Sequence, residues 1–207
     1  VALGGDAGGA ATIQSNKGRF STGSGSAYNG YINARLGSMS SLTDCDVYVE
    51  WTPNANAATE SYLGIILRGS NDWPSWNRPT SGYQVNIENG GSKLVLITSG
   101  SPTDLTAFSS DSWTSGQTWA LRFQCIGTTI RFRVWNTSGG EPGTWKGSVT
   151  NSSVTSGRFQ MWLENGSGGT DCYHDFDNLV VTDTLSGLPV YMMNAGVRFS
   201  PHYAGRL

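Results

Sequence analysis

Three carboxylates in one short run are the first residues of this 207-residue chain that could do chemistry. Asp44, Asp46 and Glu50 share a face of a predicted strand, and paired carboxyl groups are what general acid–base cleavage of a glycosidic bond uses. At about 3.3 Å of rise per residue, Asp46 and Glu50 stand roughly 13 Å apart, too far for a retaining pair at about 5 Å or an inverting pair at about 6.5–9.5 Å. Asp44 and Asp46 come within range, but nothing marks either as the proton donor. Nucleophilic chemistry is as thinly supplied. The two histidines, His174 and His202, have no evident Ser or Cys partner, and no Gly-x-Ser-x-Gly elbow occurs. Cys45, Cys125 and Cys172 form no Cys-x-x-Cys pair, which argues against zinc, and an odd number cannot close a full disulfide framework. Cys45 and Cys125 fall on apolar strand faces, either as buried free thiols in a chain made in a reducing compartment or as a bridge. The chain therefore reads as non-enzymatic.

Any functional group here must be positioned by β-strands. Trp119, Leu121, Phe123 and Cys125 alternate with Arg122 and Gln124; beyond Gly127, Ile130, Phe132 and Val134 alternate with Arg131, Arg133 and Trp135. A period of two with one apolar face predicts a half-buried antiparallel hairpin. Further strands are predicted over residues 11–14, 44–51, 62–68, 83–89, 93–98, 105–108, 145–149, 158–164 and 173–182, separated by Gly, Ser, Asn and Pro clusters. Val47, Val49, Trp51, Leu63, Ile65, Leu67, Val85, Ile87, Phe159, Met161 and Leu163 supply the inner faces of two packed sheets. Gln84, Asn86, Arg131, Arg133 and Gln160 fall on the outer faces. Abundant Gly (28 residues), few charges (14%) and no helical period beyond a turn or two set the class as an all-β sandwich in one domain.

A net charge of −2 argues against a nucleic-acid partner. No apolar run approaches the ~18 residues of a membrane span, so no membrane partner is expected. Residues 1–10 read as a linker-like segment; Val1 in place of Met, with no signal-like run after it, is expected of a trimmed chain or a piece of a longer one. Residues 185–207 lose all alternation yet keep Tyr191, Met192, Met193, Phe199 and Tyr203, too apolar for a free tail. They are expected to form a docking extension on their own domain or on a neighbouring chain, with those five residues as assembly contacts.

Residues 10–184 resemble a known family. GYQVNIENGGSKLVLIT, WALRFQCIGTTIRFRVWNTSGGEPGTWKGSV, TSGRFQMWL and the closing DNLVVTD are similar, in wording and order, to the concanavalin A-like lectin and glucanase superfamily in its laminin-G-like branch. The Glu141, Pro142, Trp145 loop resembles minor tail and other virion proteins of actinobacterial phages, and secreted bacterial multidomain proteins. The resemblance implies a two-sheet antiparallel jelly roll over residues 11–184. Its glucanases carry Glu-x-Asp-x-x-Glu on one strand; Asp44, Asp46 and Glu50 depart from that in type and spacing.

Such domains often bind sugars on a concave face or loop rim, where an aromatic ring meets the apolar side of a pyranose and amides, carboxylates or Arg bond its hydroxyls. Trp73, Trp76, Asn77 and Arg78 in NDWPSWNRP supply both, unless the indoles fold back as a plug over the sandwich edge. Trp162, off the apolar face of its strand between Gln160 and Glu164, is the groove candidate. Laminin-G-like domains often hold calcium through carboxylates and carbonyls, which would fall to Asp171, Asp175, Asp177 and Asn178; otherwise Asp175 and Asp177 pair across strands with Arg122, Arg131 and Arg133. No other cofactor is expected. The implied whole is a phage minor tail protein, assembled in the host cytoplasm, whose partners are host cell-wall polysaccharide and other virion proteins, with homo-oligomerisation as a further option. A purely structural tail or capsid subunit and a secreted carbohydrate-binding module are the alternatives.

Overall fold

Strand alternation builds the centre of the molecule first. In the computed structural model, Trp119–Ile126 and Thr129–Asn136 pair antiparallel, with Phe123 opposite Phe132, and Gly127 takes the left-handed conformation (φ 54°) that the tight turn needs. The structure describes residues 2–5, 10–22, 31–35, 41–54, 61–70, 72, 78–88, 90–165, 171–183 and 189–193.

In chain order the strands are β1 (Ala2–Gly5), β2 (Ala10–Gln14), β3 (Lys17–Thr22), β4 (Tyr31–Arg35), β5 (Cys45–Pro53), β6 (Ser61–Gly69), β7 (Ser81–Glu88), β8 (Gly91–Thr98), β9 (Ser101–Asp104), β10 (Ser109–Ser110), β11 (Trp119–Ile126), β12 (Thr129–Asn136), β13 (Gly147–Thr150), β14 (Arg158–Asn165), β15 (Cys172–Asp183) and β16 (Pro189–Met193). A single 3-10 turn at Thr137–Gly139 is the helical content of the described residues, and no helix is long and apolar enough to cross a membrane. The first sheet runs β1-β4-β14-β6-β7-β8-β10, with β9 also on β8; the second runs β13-β12-β11-β5-β15-β3-β2, with β16 also on β15. Every pairing is antiparallel.

The core lies between the sheets. Val47, Val49 and Trp51 face Leu63, Ile65 and Leu67, and Phe123, Phe132 and Phe159 are fully enclosed. Each such side chain contributes about 1.5–3 kcal/mol relative to exposure. Cys45 and Cys125 are register partners within the second sheet and, with Cys172, are free buried thiols. Two bulges let the apolar pattern stay inward. At Asn178 (φ 49°) the register of β15 against β5 shifts between Asp177 and Val180, so His174 and Phe176 before the bulge and Leu179 and Val181 after it all reach the core. At Arg68 (φ 53°) a shift against β14 buries a guanidinium that donates to the carbonyls of Thr43, Val154 and Gly127 at 2.7–3.0 Å and pairs with Asp44 at 3.4 Å. One side chain thereby ties together three loops at one end of the sandwich.

Several expectations change. Residues 1–10 are not a linker throughout, since β1 pairs with β4 at an edge of the first sheet, where backbone hydrogen bonds form without any side-chain alternation. Residues 105–108 are not a strand but the bend between β9 and β10, both of which pair with β8. Within residues 185–207, β16 adds to β15 of the same chain alongside Leu179–Thr182, so that Tyr191, Met192 and Met193 occupy an intramolecular strand. Phe199 and Tyr203 lie outside the described residues.

Candidate functional site

The outward face of the first sheet mixes polar residues with a small apolar cluster of Ile66, Ile97 and Trp162 and, against expectation, is covered. Antiparallel register sets Trp162 beside Gly64, Gly64 beside Asn86 and Asn86 beside Lys93 in one row. The next row runs Gln160, Ile66, Gln84, Val95 and Asp104. Gln84, Gln160 and Trp162 have no exposure and Asn86 has 5%. The Trp162 indole crosses Gly64, where any Cβ would overlap it, and its Nε1–H donates to Gln84 Oε1 at 3.0 Å. Gln84 in turn donates to Asn86 Oδ1 at 3.2 Å, and Asn86 donates to the Glu88 carboxylate. Trp162 is therefore not an open groove residue: its ring is enclosed and its one polar atom is satisfied within the fold. Period two identified its side of the strand but not what covers that side.

This chain of hydrogen bonds ends at an accessible cluster. Tyr62, 38% exposed, is the register partner of Glu164, and Leu63 beside it pairs with Ile87, which brings Glu88 alongside. Lys93 bonds Asp104 at 3.1 Å, lies 4.0 Å from Glu88 and sits 5.9 Å from the exposed ring of Phe108. Arg78 stacks over Trp162 at 4.8 Å; burial pulls its pKa below the ordinary value, and the charges of Glu164 and Glu88 oppose that shift. Arg78 Nε and Gln160 Oε1 are buried without a protein partner. Of the loop NDWPSWNRP, the structure thus unites Arg78 with Trp162, while Trp73, Trp76 and Asn77 lie outside the described residues. The loop is pinched at its base, because Asp72 accepts hydrogen bonds from Ser70 and Thr80, which hold its carboxyl below the usual range. Tyr62, Glu88, Glu164 and Lys93 went unrecognised as site residues; their alternation was visible, but not the rows that join four strands.

The outward face of the second sheet is an ion-pair lattice with partners other than those expected. Arg122 bonds Asp46 at 2.6 Å, and Glu141 of the Glu-Pro-x-x-Trp loop reaches Arg133 at 2.5 Å and Arg122 at 3.4 Å. Arg131 and Arg133 both lie over the Trp145 ring, at 4.3 and 4.4 Å. Asp175 pairs instead with Arg19, which meets both its carboxylate oxygens. Asp177 accepts from the Asn178 backbone, and the Asn178 side chain donates to Glu50 at 2.9 Å. Asp171 contributes a backbone carbonyl to Asn54 at 2.8 Å. A calcium ion needs several converging oxygens, and these residues do not fit one: the Asp175 oxygens are held by a guanidinium, and no group of three potential ligands forms among the described residues. The three carboxylates are likewise engaged. Asp44 accepts from Gly127 N, Asp46 is held by Arg122 and Gln124, and Glu50 accepts the Tyr48 hydroxyl at 2.5 Å, which with burial keeps that tyrosine protonated.

His174 does have a serine partner. Its Nε2 lies 2.9 Å from Ser61 Oγ, across 113 residues of sequence, at a cavity of about 10 Å³ bounded also by Trp51, Ile87, Glu88 and Trp113. That is room for one water. Burial lowers its pKa to about 3, and Nδ1 has no partner to orient it as a base. The pair lies at the end of the core.

Two antiparallel eight-stranded layers with this topology define a concanavalin A-like jelly roll. Solved structures share it. The carbohydrate-binding module CBM66 from Bacillus subtilis is 12% identical over 84% of this chain and 91% of its own, with a TM-score of 0.60. The exoplasmic/lumenal domain of VIP36, in a form bound to Ca2+ and Man3GlcNAc, is 9% identical over 97% and 93%, with a TM-score of 0.63. The family 7 alginate lyase A1-II', in complex with product, is 10% identical over 83% and 82%, with a TM-score of 0.56. At such identities the likeness is one of fold. No family model and no curated protein sequence matches the chain.

Proposed function

We propose that this domain binds carbohydrate, without cleaving it, at the accessible end of the first sheet's outward face. The observation that carries this is Tyr62: an exposed ring in register beside Glu164, next to Glu88 at the end of a continuous Trp162–Gln84–Asn86–Glu88 hydrogen-bond chain. A ring for the apolar side of a pyranose, with carboxylates and cations held beside it, is the set that sugar recognition uses. The fold is shared with a carbohydrate-binding module and a mannose-glycan-bound lectin domain. Alginate lyases share it too, and release of unsaturated uronate is the outcome that separates cleavage from binding.

Within that reading, the domain is the glycan-binding part of a phage virion protein, a minor tail component attaching to host cell-wall polysaccharide. The support for this finer statement is the wording of the hairpin and of the Glu141, Pro142, Trp145 loop, whose charge and ring are built into the Arg122, Arg131 and Arg133 lattice.

Calorimetry against a glycan panel tests the site. Tyr62→Ala is expected to weaken binding roughly 2- to 12-fold, from about 0.5–1.5 kcal/mol for an aromatic contact. Glu88→Gln is expected to weaken it about 10-fold or more, from ~1.5–3 kcal/mol for a charged hydrogen bond. Wild-type affinity in both variants, or release of unsaturated uronate from alginate, would refute the proposal.

A further inference from the structure

One cation on this face is left without a contact partner. The Arg78 guanidinium lies over the Trp162 ring at 4.8 Å. Among the described residues no carboxylate comes within ion-pair distance of it and no oxygen accepts from it, and its Nε is buried without a partner. Burial is the leading cause that lowers its pKa, and the charges of Glu164 and Glu88 offset only part of that shift. Both carboxylates are engaged elsewhere: Asn86 donates to Glu88, which Lys93 approaches to 4.0 Å, and Glu164 has a further interaction of its own. A desolvated donor with no acceptor is costly, and such groups are rare in folded proteins unless something outside the chain satisfies them.

The face as a whole does not repel an anion. By register or contact it carries Arg35, Arg78, Lys93 and Arg158 against Glu88, Glu164 and Asp104. Stacking on Trp162 covers one side of the Arg78 guanidinium, and the edge of such a group offers parallel N–H donors that match a carboxylate or phosphate at two points. Trp162 is the register partner of Gly64, two residues along β6 from Tyr62 on the same face. That separation is roughly 7 Å of strand, so one ligand can reach both the ring and the cation.

Resting on the proposed carbohydrate site, we infer that its ligand is an acidic glycan, whose oxyanion, a carboxylate or a phosphate, is held by the Arg78 fork while a sugar ring lies on Tyr62 and sugar hydroxyls donate to Glu88.

The test measures binding of the full chain to polygalacturonate, to a glycerol-phosphate polymer and, as the neutral counterpart, to a galactan, at low and high salt. At least one anionic polymer should bind about 10-fold or more tighter than the galactan at low salt and lose most of that advantage at high salt, as screening weakens charged contacts; which of the two binds assigns the oxyanion. Arg78→Gln should cost the anionic polymer about 10-fold or more, the scale of a hydrogen bond between charged groups. Arg78→Lys, which keeps the charge and loses the fork, should recover part of that loss. Galactan binding as tight as either anionic polymer, and lost in Tyr62→Ala, would keep the site and overturn the ligand class. An anionic preference that survives both Arg78 variants, or whichever of them melts like the wild type, would overturn the role of Arg78. Binding to no glycan, or binding indifferent to Tyr62→Ala in a variant that melts like the wild type, would overturn the site reading and this inference with it.

Discussion

Replacing Gly64 by Ala should destabilise the protein, although in a strand interior Ala is normally favoured over Gly by roughly 0.5–1 kcal/mol. The sign reverses because the Gly64 backbone is the surface on which the Trp162 indole lies, and a methyl group there overlaps the ring at Nε1 and two carbons. If the indole moves away, the Nε1–Gln84 bond breaks and leaves the fully buried Gln84 Oε1 without its donor, at about 1–3 kcal/mol. Off-rotamer repacking adds about 1–3 kcal/mol. The sum is about 2–6 kcal/mol, or roughly 4–24 °C in melting temperature at about 2–4 °C per kcal/mol for a domain of this size. Denaturant unfolding of Gly64→Ala, Trp162→Ala and the double variant isolates the cause. With the indole gone, Gly64→Ala should be nearly neutral, giving a coupling of at least ~1 kcal/mol within the usual range for touching residues. Additive effects within ~0.5 kcal/mol would show that the ring does not rest on this glycine.

Arg68→Met should lower stability by about 3–5 kcal/mol, since it strips the Thr43, Val154 and Gly127 carbonyls of their donor and leaves Asp44 without its cation; a loss below ~1 kcal/mol by denaturant unfolding would contradict the tie between the three loops. The stability of the wild type should fall with acidification because of His174. Its folded pKa of about 3 lies below the ~6.5 of an unfolded chain, so the unfolded state alone takes up this proton as pH drops from about 6.5 to about 3. The contribution is at most ~1.4 kcal/mol per pH unit. Denaturant midpoints of His174→Asn should show that part of the slope missing, and identical slopes would refute the assignment.

Fold class was legible because strands such as β5, β11 and β12 bury alternate residues between two sheets, which is what period two encodes. β3 (KGRFST) and β4 (YINAR) escaped because each alternates around a single large aliphatic or phenyl residue, Phe20 or Ile32, with small residues at its other apolar positions, and β1 (ALGG) because it carries one large apolar residue. For the site, sequence placed Gln84, Asn86, Gln160 and Trp162 on the correct side but equated that side with solvent; cover comes from contacts no periodicity records. Arg78 meeting Trp162 and Ser61 meeting His174 are long-range products of strand order. The charges were readable as charges, but choosing Asp46 rather than Asp175 for Arg122 needed β11 to be seated beside β5.

All three cysteines are enclosed, with no measurable exposure. Cys45 and Cys125 sit opposite each other on β5 and β11, whereas Cys172 starts β15 beside β3, one strand in from the edge strand β2. An alkylating reagent therefore finds no target until strands separate. Its rate of attack at Cys172 times the fraying of the sheet margin, and its rate at the other two times the parting of the centre, so the native chain carries two chemical clocks for two depths of opening.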